Sequence, residues 1–324
     1  MNSPNMNNRP ATAALFVLGA MALFGLIDNF VRLAAETGGL WQFHFLRSVI
    51  ALFILMGFAY WRGIRIAPRN WKPVALRSVL ATVAMVIYFG CLGLMPIAQV
   101  VAGLFTAPVF VVIFSVIFFK ERVGPRRVLA VVIGFAGALL ALQPDAGEVG
   151  LINAIPVVAG AGYALSNIAT RRWCGDESTP TLLGGFFGLM MVWGLIGVVV
   201  LSVWPVAVPE GADGFILRGW VRPEGVFLAM IIIQGIGSLI GVGLTIRAYQ
   251  LAEAAFVAVL ENLLLVFATV WAALLWGEWP DLWSGIGLVM ILIAGVVIAI
   301  RSPEPPSIRL PAGESNSGAS RGAT

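Results

Sequence analysis

The sequence predicts an all-helical integral membrane protein with ten transmembrane helices, arranged as two inverted repeats of five helices each. Three observations lead to this fold class. Of the 324 residues, 60% are hydrophobic and only 11% are charged, whereas a soluble domain has about 45–50% apolar and about 25% charged residues. The apolar residues occur in runs of about 20, which is the length that crosses a bilayer as a helix. One long apolar segment that ends in a glutamate also occurs twice.

The repeated segment covers residues 98–122 and returns at residues 254–279. The first copy has no charge before Lys120 and contains Glu121, while the second copy closes on Glu278. The two glutamates are 157 residues apart, which is about half of the chain. Self-similarity at such a period indicates a duplicated unit.

Ten membrane spans follow from the apolar runs, and we expect the polar lead Met1–Pro10 and the Pro-, Ser- and Gly-rich tail Arg301–Thr324 to be disordered. The first repeat covers residues 11–142, a linker covers 143–150, and the second repeat covers 151–300. The predicted spans are Ala11–Ala34, Leu40–Tyr60, Val74–Leu92, Ala98–Phe119, Arg127–Leu142, Leu151–Thr170, Thr181–Val203, Gly225–Tyr249, Ala254–Trp276 and Leu282–Ile300.

The distribution of Lys and Arg predicts the orientation. With the N-terminus inside, sixteen basic residues, Arg77 among them, lie on the cytoplasmic side and three lie outside, while Arg47 falls within a span. This is a strong positive-inside bias. Lys120 ends the fourth helix on the inside, whereas the matching end of the ninth helix, at Glu278, carries no Lys or Arg. Because five is odd, the second repeat must be inverted, and both termini are expected in the cytoplasm of a bacterial cell.

Several function classes do not fit the composition. The basic residues lie in short clusters between spans, so the sequence pI of about 9.5 reflects membrane orientation and not binding to nucleic acid. Cys91 and Cys174 fall at opposite ends of their spans and are expected to be free thiols. There is no P-loop for direct ATP coupling and no His/Cys/Asp cluster for a metal. An intramembrane protease would need a nucleophile to accompany His44.

Polar residues inside the spans are the candidate functional residues. A charged side chain at the centre of a membrane helix costs roughly 2.5–3.5 kcal/mol, so such groups face the bundle interior and mark a site or a route. The candidates for substrate binding or coupling are Asp28, Asn29, His44, Arg47, Tyr88, Tyr163, Asn167, Gln234, Glu261 and Asn262.

The charged candidates have alternative interpretations. Asp28 and Arg47 each lie about 10 Å below the outer end of a helix, so they form a buried ion pair or they face the substrate, and Asp28 has Arg32 as a second possible partner. His44 faces the same way as Arg47 and is either a packing residue or a relay. Glu261 has no Lys or Arg at its depth, so burial favours its neutral form. It is a candidate proton carrier, or a protonated carboxyl that only bonds a neighbouring helix.

The neutral candidates are equally open. Asn167, Gln234 and Asn262 either make interhelical hydrogen bonds or bind the substrate. Tyr88 and Tyr163 either stack on a planar substrate or pack in the helix core.

Three segments resemble a known family. The segment APVFVVIFSVIFFKER, residues 107–122, is similar to the proline-to-glutamate segment of EamA-type transporters of the drug/metabolite transporter superfamily. LENLLLVFATVWAALLWGE, residues 260–278, resembles the variant with a glutamate seventeen residues before the terminal one, and FGLIDNFVR (24–32) matches YALSNIATR (163–171). The resemblance covers residues 11–300. It implies two inverted five-helix repeats around a central cavity, with alternating access and no required cofactor.

We therefore expect a secondary transporter of a small organic metabolite in the bacterial inner membrane, with lipid as its surroundings and a proton as candidate coupling ion. Asp28 and Glu261 against Arg47 make a phosphorylated anion a poor guest, and favour a zwitterion, an amine or a neutral planar molecule such as an amino acid or nucleobase. The alternatives are a facilitative channel or exchanger, and an intramembrane enzyme. The expected oligomeric state is a monomer or a homodimer.

Overall fold

The structure, a computed structural model, describes residues 9–92, 95–121, 123–144 and 154–300. Most of the lead, the tail and most of the linker lie outside these residues. The described residues form α-helices and one short 3-10 helix, Gly211–Gly214, with no strand among them. The helices are α1 (Pro10–Asp28), α2 (Val31–Thr37), α3 (Leu40–Arg62), α4 (Trp71–Cys91), α5 (Ile97–Leu104), α6 (Ala107–Ile117), α7 (Pro125–Leu142), α8 (Ile155–Trp173), α9 (Thr179–Val203), α10 (Gly225–Leu251), α11 (Ala254–Glu261), α12 (Leu263–Trp276) and α13 (Leu282–Ala299).

The described residues of all ten predicted spans are mainly helical, and the first three residues of the predicted sixth span, 151–153, lie outside the described residues. In the described part of the chain, nine helical segments are long and apolar enough to cross a bilayer. The predicted sixth span is α8, which has 19 residues and is less apolar because it carries Tyr163, Asn167 and two terminal arginines, Arg171 and Arg172. The first, fourth and ninth spans are each broken into two helices, α1 with α2, α5 with α6, and α11 with α12.

The breaks in the fourth and ninth spans fall at equivalent positions. The first break covers Phe105 and Thr106, and the second lies at Asn262, which the 157-residue shift equates with Phe105. In the fourth span, Pro108 has no N–H to donate, which weakens the helical hydrogen bonding there. In the ninth span, Leu265 stands at the position of that proline and its N–H donates to Asn262 O at 3.1 Å, three residues back. Both repeats therefore bend at the same point.

The same two spans also end alike. Lys120 and Gly277, which the shift equates, both adopt left-handed backbone angles, with φ of 52° and 72°. The following glutamates close the helix in the same way: Glu121 N donates to Ser115 O at 3.0 Å, and Glu278 N donates to Ala272 O at 3.4 Å. The left-handed residues also bond alike, since Lys120 N donates to Val116 O and Gly277 N donates to Ala273 O, each at 3.1 Å. A bond from the left-handed residue to the carbonyl four residues back is that of an αL cap, which normally places glycine at this position. The duplication seen in the sequence is thus repeated in backbone detail.

The spans pack in pairs that join the two halves. The main pairs are α7 with α13, α3 with α9, α4 with α8, and α1 with α10. The α7–α13 pair is very close, since a Cβ at Gly287 would lie 2.4 Å from Ala141 N and 2.5 Å from Gly137 O. Small residues let helix backbones approach in this way. Cys91 and Cys174 are both buried and unpaired.

Candidate central cavity

A cavity of about 250 Å³ lies between the two halves. Side chains from eight of the ten spans line it, and among the described residues those of α7 and α13 do not. Its wall is mainly apolar and rich in aromatic rings, with Phe24, Phe89 and Phe105 among them. The few polar groups in this wall come from both halves of the chain.

The structure brings eight of the ten candidate residues to this cavity. They are Asp28, Arg47, Tyr88, Tyr163, Asn167, Gln234, Glu261 and Asn262. They come from α1, α3, α4, α8, α10 and α11, with Asn262 at the break before α12. Polar side chains of the membrane interior have thus been gathered in one place, and their roles in binding or coupling stay predictions.

Two candidates lie elsewhere. Asn29 ends α1, and its Nδ2 donates to Gly25 O at 2.7 Å and to Ala268 O at 3.0 Å, which ties the first span to α12. It borders a second pocket, which it shares with Asp28 and Glu278. His44 is only 1% exposed, and its ring centroid lies 4.1 Å from that of Phe89. The ring packs on Phe89, but neither ring nitrogen has a hydrogen-bond partner among the described residues, so the hydrogen bond expected of a packing histidine is missing and its role stays a prediction.

The upper polar cluster contains Asp28, Arg47 and Gln234. In the described structure no direct ion pair joins Asp28 to Arg47 or to Arg32. Arg32 pairs instead with Glu278, at 2.7 Å. Gln234 is 1% exposed and donates through Nε2 to Ile27 O at 2.8 Å, which holds α10 against α1 beside Asp28. Both ion pairs considered from the sequence are therefore absent from this arrangement.

The lower polar cluster is built on Glu261, the last residue of α11. Tyr163 donates its hydroxyl to Oε1 at 2.9 Å, and Tyr249 donates its hydroxyl to Oε2 at 2.6 Å. No Lys or Arg of the described residues forms an ion pair with Glu261. The carboxyl group is thus held between α8 and α10 by two hydroxyl groups and by no cation.

Sequence reasoning missed two residues of the cavity. Arg77 was assigned to the cytoplasmic side, but it lies in α4, is 4% exposed and lines the cavity. The predicted span Val74–Leu92 already contained Arg77, but its charge was read only as a topology signal; α4 begins at Trp71, which places Arg77 about 9 Å into the helix. Its Nε donates to Thr170 Oγ1 at 3.0 Å. Tyr249 was taken only as the end of a span, although it shares a helical face with Gln234, at spacings of three and four residues.

The cavity wall repeats itself. The 157-residue shift equates eight pairs that all line it: Arg77 with Gln234, Ala81 with Ser238, Met85 with Val242, Tyr88 with Thr245, Phe89 with Ile246, Leu104 with Glu261, Phe105 with Asn262, and Ala107 with Leu264. Each ionisable member of these pairs has a partner that carries no charge. The two halves therefore contribute equivalent backbone positions to the cavity wall, but the charges of their side chains differ.

Comparison with known proteins identifies the family of this chain. A family model described as the EamA-like transporter family matches residues 11–143 and again residues 154–300. The chain belongs to the EamA-like transporter family. The resemblance deduced from the repeated segments is confirmed, and the all-helical multi-pass fold is the one expected of an EamA-like transporter.

Named relatives of this EamA-like transporter are themselves transporters. A pseudopaline exporter of Pseudomonas aeruginosa is 26% identical over 298 residues, which cover 89% of this chain and 96% of the exporter. A riboflavin transporter of Vibrio cholerae is 24% identical over 300 residues, which cover 90% and 94%. An S-adenosylmethionine uptake transporter of Rickettsia bellii is 23% identical over 256 residues, which cover 78% and 81%. The chain is therefore a multi-pass membrane transporter of a family whose named members carry small metabolites.

A solved crystal structure supports the fold independently. It aligns with a TM-score of 0.74 at 16% identity, covering 90% of this chain and 97% of that one. Identity at this level speaks to the fold alone.

Proposed function

We propose that this chain is a secondary active transporter that moves a small organic metabolite across a bacterial inner membrane by alternating access, with a proton as the coupling ion. The observation that carries the proposal is the central cavity, because it lies between two similar halves and is bordered by a carboxyl group that bonds no cation. Named relatives that carry metabolites in both directions of transport support the same activity.

The packing of the spans supports an inverted arrangement of the two halves. Helix α1 packs on α10 and on the ninth span, α11 with α12, while α8 packs in the same way on α4 and on the fourth span, α5 with α6. The contacts that the first span makes with the second half thus match those that the sixth span makes with the first half. Because each half has five spans, equivalent ends of the two halves lie on opposite faces of the bundle, which is the geometry of an inverted-repeat transporter.

Matching side-chain contacts close the two ends. At the end of the first span, the Arg32 guanidinium pairs with Glu278 and lies 3.7 Å from the centre of the Trp276 ring. We name these three residues the outer clasp, following the predicted orientation. It joins the first span to the ninth.

The inner clasp repeats this arrangement at the other end. Arg172, at the end of α8, pairs with Glu121 and lies 4.7 Å from the centre of the Phe119 ring. The 157-residue shift equates Glu121 with Glu278 and Phe119 with Trp276. Alternating access requires that one end opens while the other stays closed, and a matched pair of contacts at the two ends supplies the elements that must open.

The position of Glu261 supports proton coupling. An acid that is paired with Arg or Lys would lose an ion pair on protonation, whereas Glu261 is bonded by the hydroxyls of Tyr163 and Tyr249. A hydroxyl can donate to the ionised carboxyl and accept from the protonated one. The site can therefore exist in both protonation states without a change of partners.

The cavity favours a planar substrate that is neutral or that carries equal positive and negative charge. Arg47 and Arg77 now stand against Asp28 and Glu261, so the wall carries two positive and two negative groups. This corrects the sequence estimate, in which Arg47 was the only cation. Zwitterionic or neutral planar metabolites fit such a wall better than a highly charged anion.

Counterflow in proteoliposomes tests the proposal. Purified full-length protein is first screened against amino acids, nucleobases, vitamins and their conjugates by thermal shift, and each hit is then measured for saturable exchange of labelled against unlabelled compound. We expect at least one hit to exchange and to accumulate when an inward proton gradient is imposed. Steady single-file current in a planar bilayer without saturation would favour the channel alternative, and the absence of exchange for all hits would contradict the proposal.

A further inference from the structure

Arg47 lines the central cavity and differs from three other arginines that are wholly or partly buried. Its Nε is buried, and none of its guanidinium nitrogens has a hydrogen bond or an ion pair among the described residues. Arg77 donates to Thr170 Oγ1 at 3.0 Å, Arg171 to Gln250 O at 2.6 Å, and Arg218 to Gly211 O at 2.7 Å. Among the described residues, Arg47 alone of these four has no hydrogen-bond acceptor.

An unpaired guanidinium in the membrane interior is costly. The guanidinium carbon of Arg47 lies 5.7 Å from the centre of the Phe43 ring, and this cation–π contact offsets only part of the cost of taking the charge out of water. The side chain lies within the cavity wall, together with Asp28 and Tyr88. The planar fork of arginine matches two carboxylate oxygens at once. A carboxylate that enters the cavity would therefore supply the hydrogen bonds that Arg47 does not make with the described residues.

We propose that Arg47 anchors a carboxylate group of the transported metabolite, while Asp28, across the same end of the cavity, receives its ammonium or other donor group. This inference rests on the proposed function and narrows it, because it selects carboxylate-bearing zwitterions among the zwitterions, amines and neutral molecules considered above. Asp28 suits this second role because it faces the cavity and is not tied to Arg47 by an ion pair.

The surroundings fix the position of Arg47. It lies one turn after His44 in α3, and the centre of the His44 ring is 4.1 Å from that of Phe89, with the two rings tilted by 54°. Tyr88 and Phe89, whose centroids are 5.0 Å apart, form the adjacent aromatic wall. A ring attached to the carboxylate-bearing carbon of a guest would meet this wall. Arg47 thus determines specificity by charge and the neighbouring rings by shape.

Matched pairs of acid and amide test the anchor directly. Thermal stabilisation of the detergent-purified full-length protein is measured as a function of ligand concentration for phenylalanine and phenylalaninamide, for nicotinate and nicotinamide, and for benzoate and benzamide. We expect the acid to bind more tightly than its amide in at least one pair. Arg47→Gln should weaken the acid by about tenfold or more, since a hydrogen bond to a charged group is lost, and should leave the amide within about twofold. If no pair shows preference for the acid in the unaltered protein, the proposal is wrong.

Further variants separate binding from folding. Arg47→Lys keeps the charge but loses the planar fork, so we expect an intermediate loss of acid binding. Arg62→Gln removes an exposed arginine at the far end of the same helix and should change nothing. In the unaltered protein, phenylglyoxal labelling of Arg47, read by peptide mass spectrometry, should be slowed by the acid and not by its amide, which tests the anchor without any substitution. Equal protection by acid and amide would overturn it.

Failure of the Arg47 anchor can be distinguished from failure of the proposed transport function. Thermal shift reports binding even if no compound is transported, so a failure of counterflow leaves the acid preference readable. Conversely, counterflow that proceeds normally in Arg47→Gln with a carboxylate-bearing substrate would overturn the anchor and leave the transporter proposal standing.

Discussion

Breaking the outer clasp and breaking the inner clasp should open the cavity to opposite sides of the membrane. The outer clasp is exposed, with 43% and 58% of the Arg32 and Glu278 side chains accessible, so its ion pair contributes only about 0.2–1 kcal/mol. Stacking of an exposed arginine on a Trp ring adds about 0.5–1 kcal/mol. Arg32→Gln removes both contacts from the state in which this end is closed. The expected shift of roughly 0.7–2 kcal/mol moves the population of the outward-open state by about 3- to 30-fold.

A cysteine in the cavity wall reports this shift. Ser238 lines the cavity, is 3% exposed, and its Oγ has no hydrogen-bond partner among the described residues, so Ser238→Cys is a small change. With Cys91 and Cys174 replaced by alanine, an impermeant maleimide is applied to right-side-out and to inside-out vesicles. Arg32→Gln should accelerate labelling from the periplasmic side. Arg172→Gln, which breaks the inner clasp, should accelerate it from the cytoplasmic side.

The control uses an ion pair of the same length that joins nothing across the bundle. Arg222 and Glu224 pair at 2.7 Å within one loop, so Arg222→Gln should leave labelling from both sides unchanged. Two results would refute the reasoning: a shift in the same direction for Arg32→Gln and Arg172→Gln, or changes of less than twofold for both of them.

Three further predictions concern coupling and stability. Glu261→Gln keeps the size of the side chain but cannot ionise, so transport in proteoliposomes should lose its dependence on pH; an unchanged pH profile removes Glu261 from the coupling mechanism. Gly287→Ala places a Cβ 2.4 Å from Ala141 N and should lower stability by about 1–3 kcal/mol, measured as a lower melting temperature in detergent, whereas an unchanged value means that the α7–α13 contact is looser than described. Lys120→Gly removes the strain of a side chain on a left-handed backbone and should raise stability by about 1 kcal/mol. Gly277→Ala introduces that strain and should lower stability by a similar amount. Changes of the same sign for both variants would contradict the shared cap.

The sequence predicts the frame well because the signals for it are local. Apolar length sets the spans, and the cost of polar groups in lipid places most of them inside, which explains why Asp28 and Glu261 share one cavity. Pairing was harder to predict. Depth correctly put Asp28 and Arg47 in one layer, but whether two side chains meet depends on how each helix is rotated about its axis, and Arg32 found Glu278 instead.

The missed residues have equally physical causes. Arg77 was counted with the cytoplasmic charges because a positive charge near a helix end resembles a topology signal, although it lay inside the predicted third span and lines the cavity. The clasps combine residues from distant segments, so no single window of sequence shows them. Comparison of both repeats at the 157-residue shift was the one signal that could have revealed Phe119 and Trp276 as equivalent.

The unequal charges of the cavity wall bear on the direction of transport. A carrier with two identical halves would have inward-open and outward-open states of equal free energy. It would transport its substrate equally fast in both directions under equal gradients. Here the backbone is doubled, but the 157-residue shift equates Arg77 with Gln234 and Glu261 with Leu104 in the cavity wall. These mismatched side chains are therefore one source of kinetic bias between import and export, and exchanging them between the halves should change that bias.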